Sequence, residues 1–179
     1  MEFCLFYEGE LPSNGNKRDK HRIRQELAPQ LMKLWQQEPL SGLWQKREQD
    51  DRDSNTLIRK VGSASFLPLV TSELHLHAEV SIDLIRPGAA GALIQSGDID
   101  NRLKTLFDAL RMPNETNELV DDADDSDLPL HCLLEDDRLI TRVDVASCQL
   151  LTDAGPNEVI LLIKVNIKST QKTWENIEI

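Results

Sequence analysis

The 179-residue chain is short of aromatic side chains, at 4% with a single Tyr, and so has little material for a surface that stacks on bases. Trp35, Trp44 and Trp174 are read as packing residues. There is no excess of positive charge either: 20 Lys and Arg stand against 31 Asp and Glu, a formal charge of −11. That balance excludes a histone-like binder, and any nucleic-acid contact has to come from a local basic patch or a bound cation. No apolar run approaches the ~18 residues needed to cross a bilayer, and Met1 to Glu10 lacks the basic flank and long apolar stretch of a secretory signal. The expectation is a soluble, cytoplasmic protein. Cysteine is scarce, and Cys4, Cys132 and Cys148 are scattered without the C-x-x-C pair of a structural zinc or redox site. Free thiols that behave as small hydrophobes are the simple reading.

What is present is a set of hydrophobic periods. Phe3 to Tyr7 is a short apolar run ended by the turn-forming Leu11-Pro12-Ser13-Asn14-Gly15-Asn16, which predicts a strand and a loop. From Lys20 to Gln37 the apolar residues Ile23, Leu27, Leu31, Leu34 and Trp35 recur at helical steps, and Pro29 predicts either a kink or a break into two helices. Residues 45–60 are almost all polar and are expected as loop or exposed helix. Glu73 to Ile85 alternates apolar and polar residues, the mark of a half-buried strand, with His75, His77 and Glu79 on the wet face. A second helix is expected to begin close to Asp100, with Leu103, Leu106, Phe107 and Leu110 as its stripe. Residues 112–130, with aspartates at 121, 122, 124, 125 and 127, read as an acidic surface insertion. Two further strands follow, Leu139 to Cys148 and Glu158 to Lys168. This order predicts one domain over 1–179 of class α+β, a mixed, largely antiparallel sheet with helices packed on it. The charged segment 17–60 and the acidic insertion are its additions.

The densest chemistry lies in Asp98-Ile99-Asp100-Asn101-Arg102-Leu103-Lys104. Two carboxylates at a helix entrance are hard oxygen ligands suited to Mg²⁺ or Mn²⁺, and Lys104, four residues after Asp100, lies one turn along the same face. Octahedral coordination needs a third carboxylate from elsewhere, and Asp136 and Asp137, at the entry to a strand, are the candidates. Positive contacts for a phosphate backbone are offered by Lys17, Arg18, Lys20, Arg22 and Arg24, with Asn14 and Asn16 at their edge, and by Arg102 and Arg138. His75 and His77 share a face with Glu79 at a spacing that could bind zinc, but no ligand beyond these is evident, so an exposed strand face is the preferred reading.

The run Asp98 to Lys104, then Asp108-Ala109-Leu110, then Asp136-Asp137 before a strand resembles the RusA family of Holliday junction resolvases. Leu11-Pro12-Ser13-Asn14 is similar to that family's early turn. The resemblance covers about half the chain, chiefly Asp98 to Val145. It implies metal-binding roles for Asp98, Asp100 and Asp137, a catalytic role for Lys104, and supporting positions at Asn101 and Asp136. It further implies a RusA-like fold, Mg²⁺ with Mn²⁺ as a substitute, a symmetric homodimer, and endonucleolytic hydrolysis of branched DNA. Two alternatives stand beside it, a non-catalytic adaptor on the same fold that binds a protein or nucleic-acid partner, and a nuclease directed at RNA.

Overall fold

A computed structural model describes residues 1–43, 57–87, 98–120, 128–173 and 176, residue 98 through its backbone alone. In chain order these form β1 (Glu2–Glu10), α1 (Lys17–Trp35), β2 (Arg59–Val61), β3 (Ala64–Val70), β4 (Leu76–Arg86), α2 (Asp98–Leu110), β5 (Leu130–Leu134), β6 (Ile140–Gln149) and β7 (Glu158–Ser169). Short 3-10 turns occur at Thr116–Glu118 and Asp137–Leu139. Four strands make a main sheet in the order β1-β7-β4-β6, and three make a second in the order β2-β3-β5. β7 runs antiparallel to β1 and β4, and β2 to β3, while β6 is parallel to β4 and β5 to β3. The class is α+β with mixed, mostly antiparallel pairing.

Alternation builds the main sheet. Leu76, Ala78, Val80, Ile82 and Leu84 of β4 and Val159, Leu161, Ile163, Val165 and Ile167 of β7 all point to one face and are buried there. Ile23, Leu27, Leu31 and Trp35 of α1 and Leu106, Ala109 and Leu110 of α2 cover that face in a single core. Each such side chain taken fully out of water contributes about 1.5–3 kcal/mol. The other face carries His77, Glu79, Ser81 and Asp83 of β4 with Lys164 and Lys168 of β7, cross-linked by Lys164–Asp83 at 3.0 Å and Lys168–Glu79 at 2.6 Å. β1 closes one edge of the sheet in an unusual way. The Phe6 N–H donates to Gln30 Oε1 at 2.9 Å and the Gln30 amide donates to the Phe6 carbonyl at 2.7 Å, so a helix side chain stands where a further strand would pair.

Several expectations are corrected. Of the two outcomes expected at Pro29 the break does not occur: α1 is one helix through that exposed residue, and the core stripe keeps its register. Arg59–Val61, at the end of the polar stretch, is a strand whose Val61 is buried, and β3 and β5 are strands that alternation does not mark because both of their faces are covered. Met112, expected in a surface insertion, is buried, with its N–H on the Leu134 carbonyl at 2.9 Å. His75 lies in the turn before β4 at φ 53°, so it does not share a strand face with His77 and Glu79. The acidic residues 121–127, Trp44, Trp174 and most of 45–60 lie outside the described residues.

Candidate functional site

α1 and α2 lie side by side and run the same way. Near their starts the Gly15 N–H donates to Thr105 Oγ1 at 2.9 Å, and a side chain at Gly15 would bring its Cβ to 2.5 Å from Thr105 Cγ2, so this approach requires glycine. Farther along, Lys20 meets Asp108 at 2.6 Å. The buried Arg24 donates to the carbonyls of Asp108 at 2.8 Å and Arg111 at 3.0 Å, closing the C-terminal end of α2. Arg111 itself forks onto both carboxylate oxygens of Glu118, at 2.9 and 3.1 Å.

At the opposite end of α2, Asp100 and Lys104 are exposed one turn apart. This end is tied down by Arg102, which is buried and donates to the carbonyls of Leu11 and Pro156 and to Asn157 Oδ1. Asn157 precedes β7 where Ile160 pairs with Ile85, so α2 begins at the end of the sheet where β4 finishes. Asn101 is half-buried, and its carbonyl accepts the Thr105 hydroxyl at 3.0 Å. Asp98 is the first residue of the helix.

Asp136 and Asp137 lie elsewhere. The Asp136 carboxylate accepts the Arg138 N–H and two guanidinium nitrogens, each at 2.9 Å, and this partner holds its pKa down at about 2. Asp137 is exposed and opens the 3-10 turn that packs on α2 and on the beginning of β4, and β6 then starts opposite Ala78. Its charge acts on Arg111, at the C-terminal end of α2. From Asp100 to Leu110 the helix rises about 15 Å, whereas two ligands of one Mg²⁺ lie at most about 4 Å apart.

The expectation that Asp137 faces the start of the same helix is therefore corrected. β4 and β6 are parallel, so α2 must run back between them, and this puts the residues that open the helix and those that open β6 at opposite ends of the sheet. Among the described residues no three His, Cys, Asp or Glu side chains gather as a metal site.

The basic cluster also divides. Arg24 and Arg102, expected on phosphates, are structural: both are buried and spend their donors on backbone carbonyls and, for Arg102, also Asn157. Arg22 holds Glu10 at 3.0 Å and Lys20 holds Asp108, while Asn16 caps α1 with the N–H groups of Arg18 and Asp19. Asn14, in the left-handed region at φ 57°, and Arg18 are exposed beside this helix start, with Lys17 half-buried between them. A groove of about 280 Å³ that the sequence does not signal opens between α1 and the three-stranded sheet, lined by His21, Met32, Phe66, Leu130 and His131. Burial lowers the pKa of His131 there. Its walls come from segments that touch only after folding, and among the described residues no carboxylate lines it.

Comparison with models of protein families, with curated proteins and with solved structures finds no match to this chain. No helix among the described residues is long and apolar enough to cross a membrane.

Proposed function

We propose that the chain is a metal-dependent endonuclease of the RusA-like kind, acting on phosphodiester bonds of branched DNA. The observation that carries this reading is the exposed pair of Asp100 and Lys104 at the start of α2, next to the basic start of α1 that Gly15 and Thr105 hold in place. Mg²⁺ or Mn²⁺, when bound, supplies a Lewis acid that activates water and neutralises charge on the phosphate. Asp100, with Asp98 two residues earlier, is the part of this chain that would hold the ion. Lys104 offers its ammonium to the negative charge that develops on the phosphate, and Arg18 and Asn14 offer donors to the backbone on either side.

The fit to the ion is incomplete within one chain, since the third carboxylate, Asp137, stands at the far end of α2. That separation favours the adaptor as a second reading, in which the fold binds a partner without cutting. An RNA-directed nuclease would use the same residues.

Incubation with a synthetic four-way DNA junction, a single-stranded DNA and a single-stranded RNA, each with Mg²⁺ and with Mn²⁺, separates these readings. Junction cleavage that is lost in chelator and in Asp100→Asn, with the circular dichroism spectrum unchanged, is the expected result. Cleavage of RNA alone would move the substrate to RNA. No cleavage of any of the three would leave the adaptor, and cleavage undiminished in Asp100→Asn would overturn the assignment of the site.

A further inference from the structure

The groove beside α1 has a regular wall. Arg18, His21, Gln25 and Met32 follow one another at steps of three, four and seven residues and so share one face of the helix, while Lys20 and Arg24 meet α2 and Ile23 and Leu27 enter the core from its other faces. Across from this stripe stand Ser65 and Phe66 of β3 and Leu130 and His131 of β5. Met32 and Leu128 both line the groove, and they are two of only five large apolar side chains that stand exposed among the described residues. Open apolar surface gathered at one concavity marks a binding site, which scattered exposure does not.

The lining decides what enters. Among the described residues it holds no Asp, Glu, Lys or Arg, in a chain where these make up 28% of residues. A charge placed inside would lose water and gain no counter-ion, so the part of a ligand that enters is uncharged. Plain hydrocarbon is a poor occupant too. The Gln25 amide and the Ser65 hydroxyl have no hydrogen-bond partner among the described residues, and the His131 ring donates to the Pro129 carbonyl. A neutral imidazole that donates from one nitrogen accepts at the other. Hydrocarbon would strip these three groups of water and return nothing, whereas a heteroaromatic ring with N–H donors and ring-nitrogen acceptors on its edge offers partners to each. The volume of about 280 Å³ falls just below the ~300–1,000 Å³ of sites for drug-sized ligands, which leaves room for one ring system and not for a large cofactor.

At the head of the stripe the chemistry changes. Arg18 is exposed, and its guanidinium has no ion pair among the described residues. From Arg18 to Gln25 the helix rises about 10 Å, comparable with the reach of one nucleotide from its phosphate to the far edge of its base. We infer that the groove holds the base of one unpaired nucleotide in a nucleic-acid strand, with the adjoining phosphate on Arg18. A chain with 4% aromatic residues cannot build a row of stacking rings, but one base needs only one slot.

This slot is separate from the place of cutting. Thr105 lies five residues after Asp100 and Arg18 three after Gly15, so the contact of Gly15 with Thr105 sets Arg18 about two helical turns beyond Asp100 along the paired helices. The base held is thus a few nucleotides away from the phosphate at Asp100. The nuclease reading selects a strand over a free nucleotide, and to that extent the inference rests on it; the slot for an uncharged base does not.

Fluorescence anisotropy in chelator, where nothing is cut, reads this binding without reference to activity. The probes are a short labelled single-stranded DNA and the same strand with abasic sites in place of its bases, with adenosine monophosphate as a competitor. The wild type should bind the ordinary strand about 10-fold more tightly than the abasic one. Gln25→Trp, at an exposed helix position, fills the groove from one wall and should abolish that difference by weakening the ordinary strand alone. His131→Leu keeps an apolar wall without the acceptor and should cut the difference to about 3-fold. Arg18→Ala should weaken both strands by one common factor and flatten their salt dependence, because it acts on phosphate.

Circular dichroism should be unchanged in all three variants. Equal binding of the two strands by the wild type, binding of neither, a difference that survives Gln25→Trp, or an Arg18→Ala effect confined to the ordinary strand would overturn the inference. Adenosine monophosphate that competes as strongly as the unlabelled strand would move the source to a free nucleotide and overturn the assignment to a strand. The junction assay keeps the two readings apart. A base preference in chelator without cleavage in Mg²⁺ upholds the groove and removes the nuclease, and cleavage without any base preference does the reverse.

Discussion

Replacing Arg24 by Ala tests whether this arginine holds two helices together or meets a nucleic acid. It is 4% exposed, and its guanidinium donates at 3.0 and 2.8 Å to the carbonyls of Arg111 and Asp108, which lie at the end of α2 where helical carbonyls lack partners. A cation in that place also opposes the negative end of the helix dipole. Burial lowers its pKa, yet a guanidinium stays charged at any working pH. Two hydrogen bonds from a charged donor, at about 1.5–3 kcal/mol each and not fully additive, give an expected loss of about 3–5 kcal/mol. Urea unfolding followed by circular dichroism would report it as a lower midpoint at unchanged slope. In a chain of this length the melting temperature should fall by about 10–15 °C. Arg24→Lys, which keeps a charge but has no fork, should recover roughly half of the loss. If Arg24 served phosphates instead, Arg24→Ala would change stability by no more than about 0.5 kcal/mol and would lower affinity for nucleic acid, and that result would refute the structural assignment.

Two more predictions concern ionisation and reactivity. The Asp136 carboxyl, held at about 2 mainly by Arg138, should titrate near there by carbon-detected NMR and return toward 3.8 in Arg138→Ala. Because its folded pKa is depressed, the stabilisation it gives is present above pH 4 and is lost as pH falls toward 2; a wild-type midpoint near 4 would sink this claim. For the cysteines, Cys132 is buried and its thiol is pushed up to about 12, whereas Cys4 and Cys148 are exposed. A thiol reagent should titrate two groups in the native protein and a third only in denaturant, and rapid native labelling of all three would contradict that burial.

Much of the architecture could be read from periodicity. Strands β4, β6 and β7 and both helices announce themselves because each keeps one wet face, and that contrast is what alternation records. β3 and β5 were invisible for the complementary reason: Phe66-Leu67-Pro68-Leu69-Val70 and Cys132-Leu133-Leu134 are buried without alternation, so no regular wet face marks their period. The candidate site was legible as chemistry and not as geometry. Asp100 and Lys104 share a helix, and helical spacing fixes their relation. Asp137 comes from another element, and its distance depends on the parallel pairing of β6 with β4, which no local pattern encodes. Arg24 and Arg102 look like any surface arginine in sequence. Their burial follows only from what they meet after folding, the end of α2 for Arg24 and the segments after β1 and before β7 for Arg102.

The glutamine that occupies the rim of β1 has a consequence for assembly. A sheet with two accessible rims can add copies without limit and grow into a fibre. Here the Gln30 amide spends the Phe6 N–H and C=O of that rim on the chain's own helix, so an incoming strand would have to displace this side chain before it could pair there.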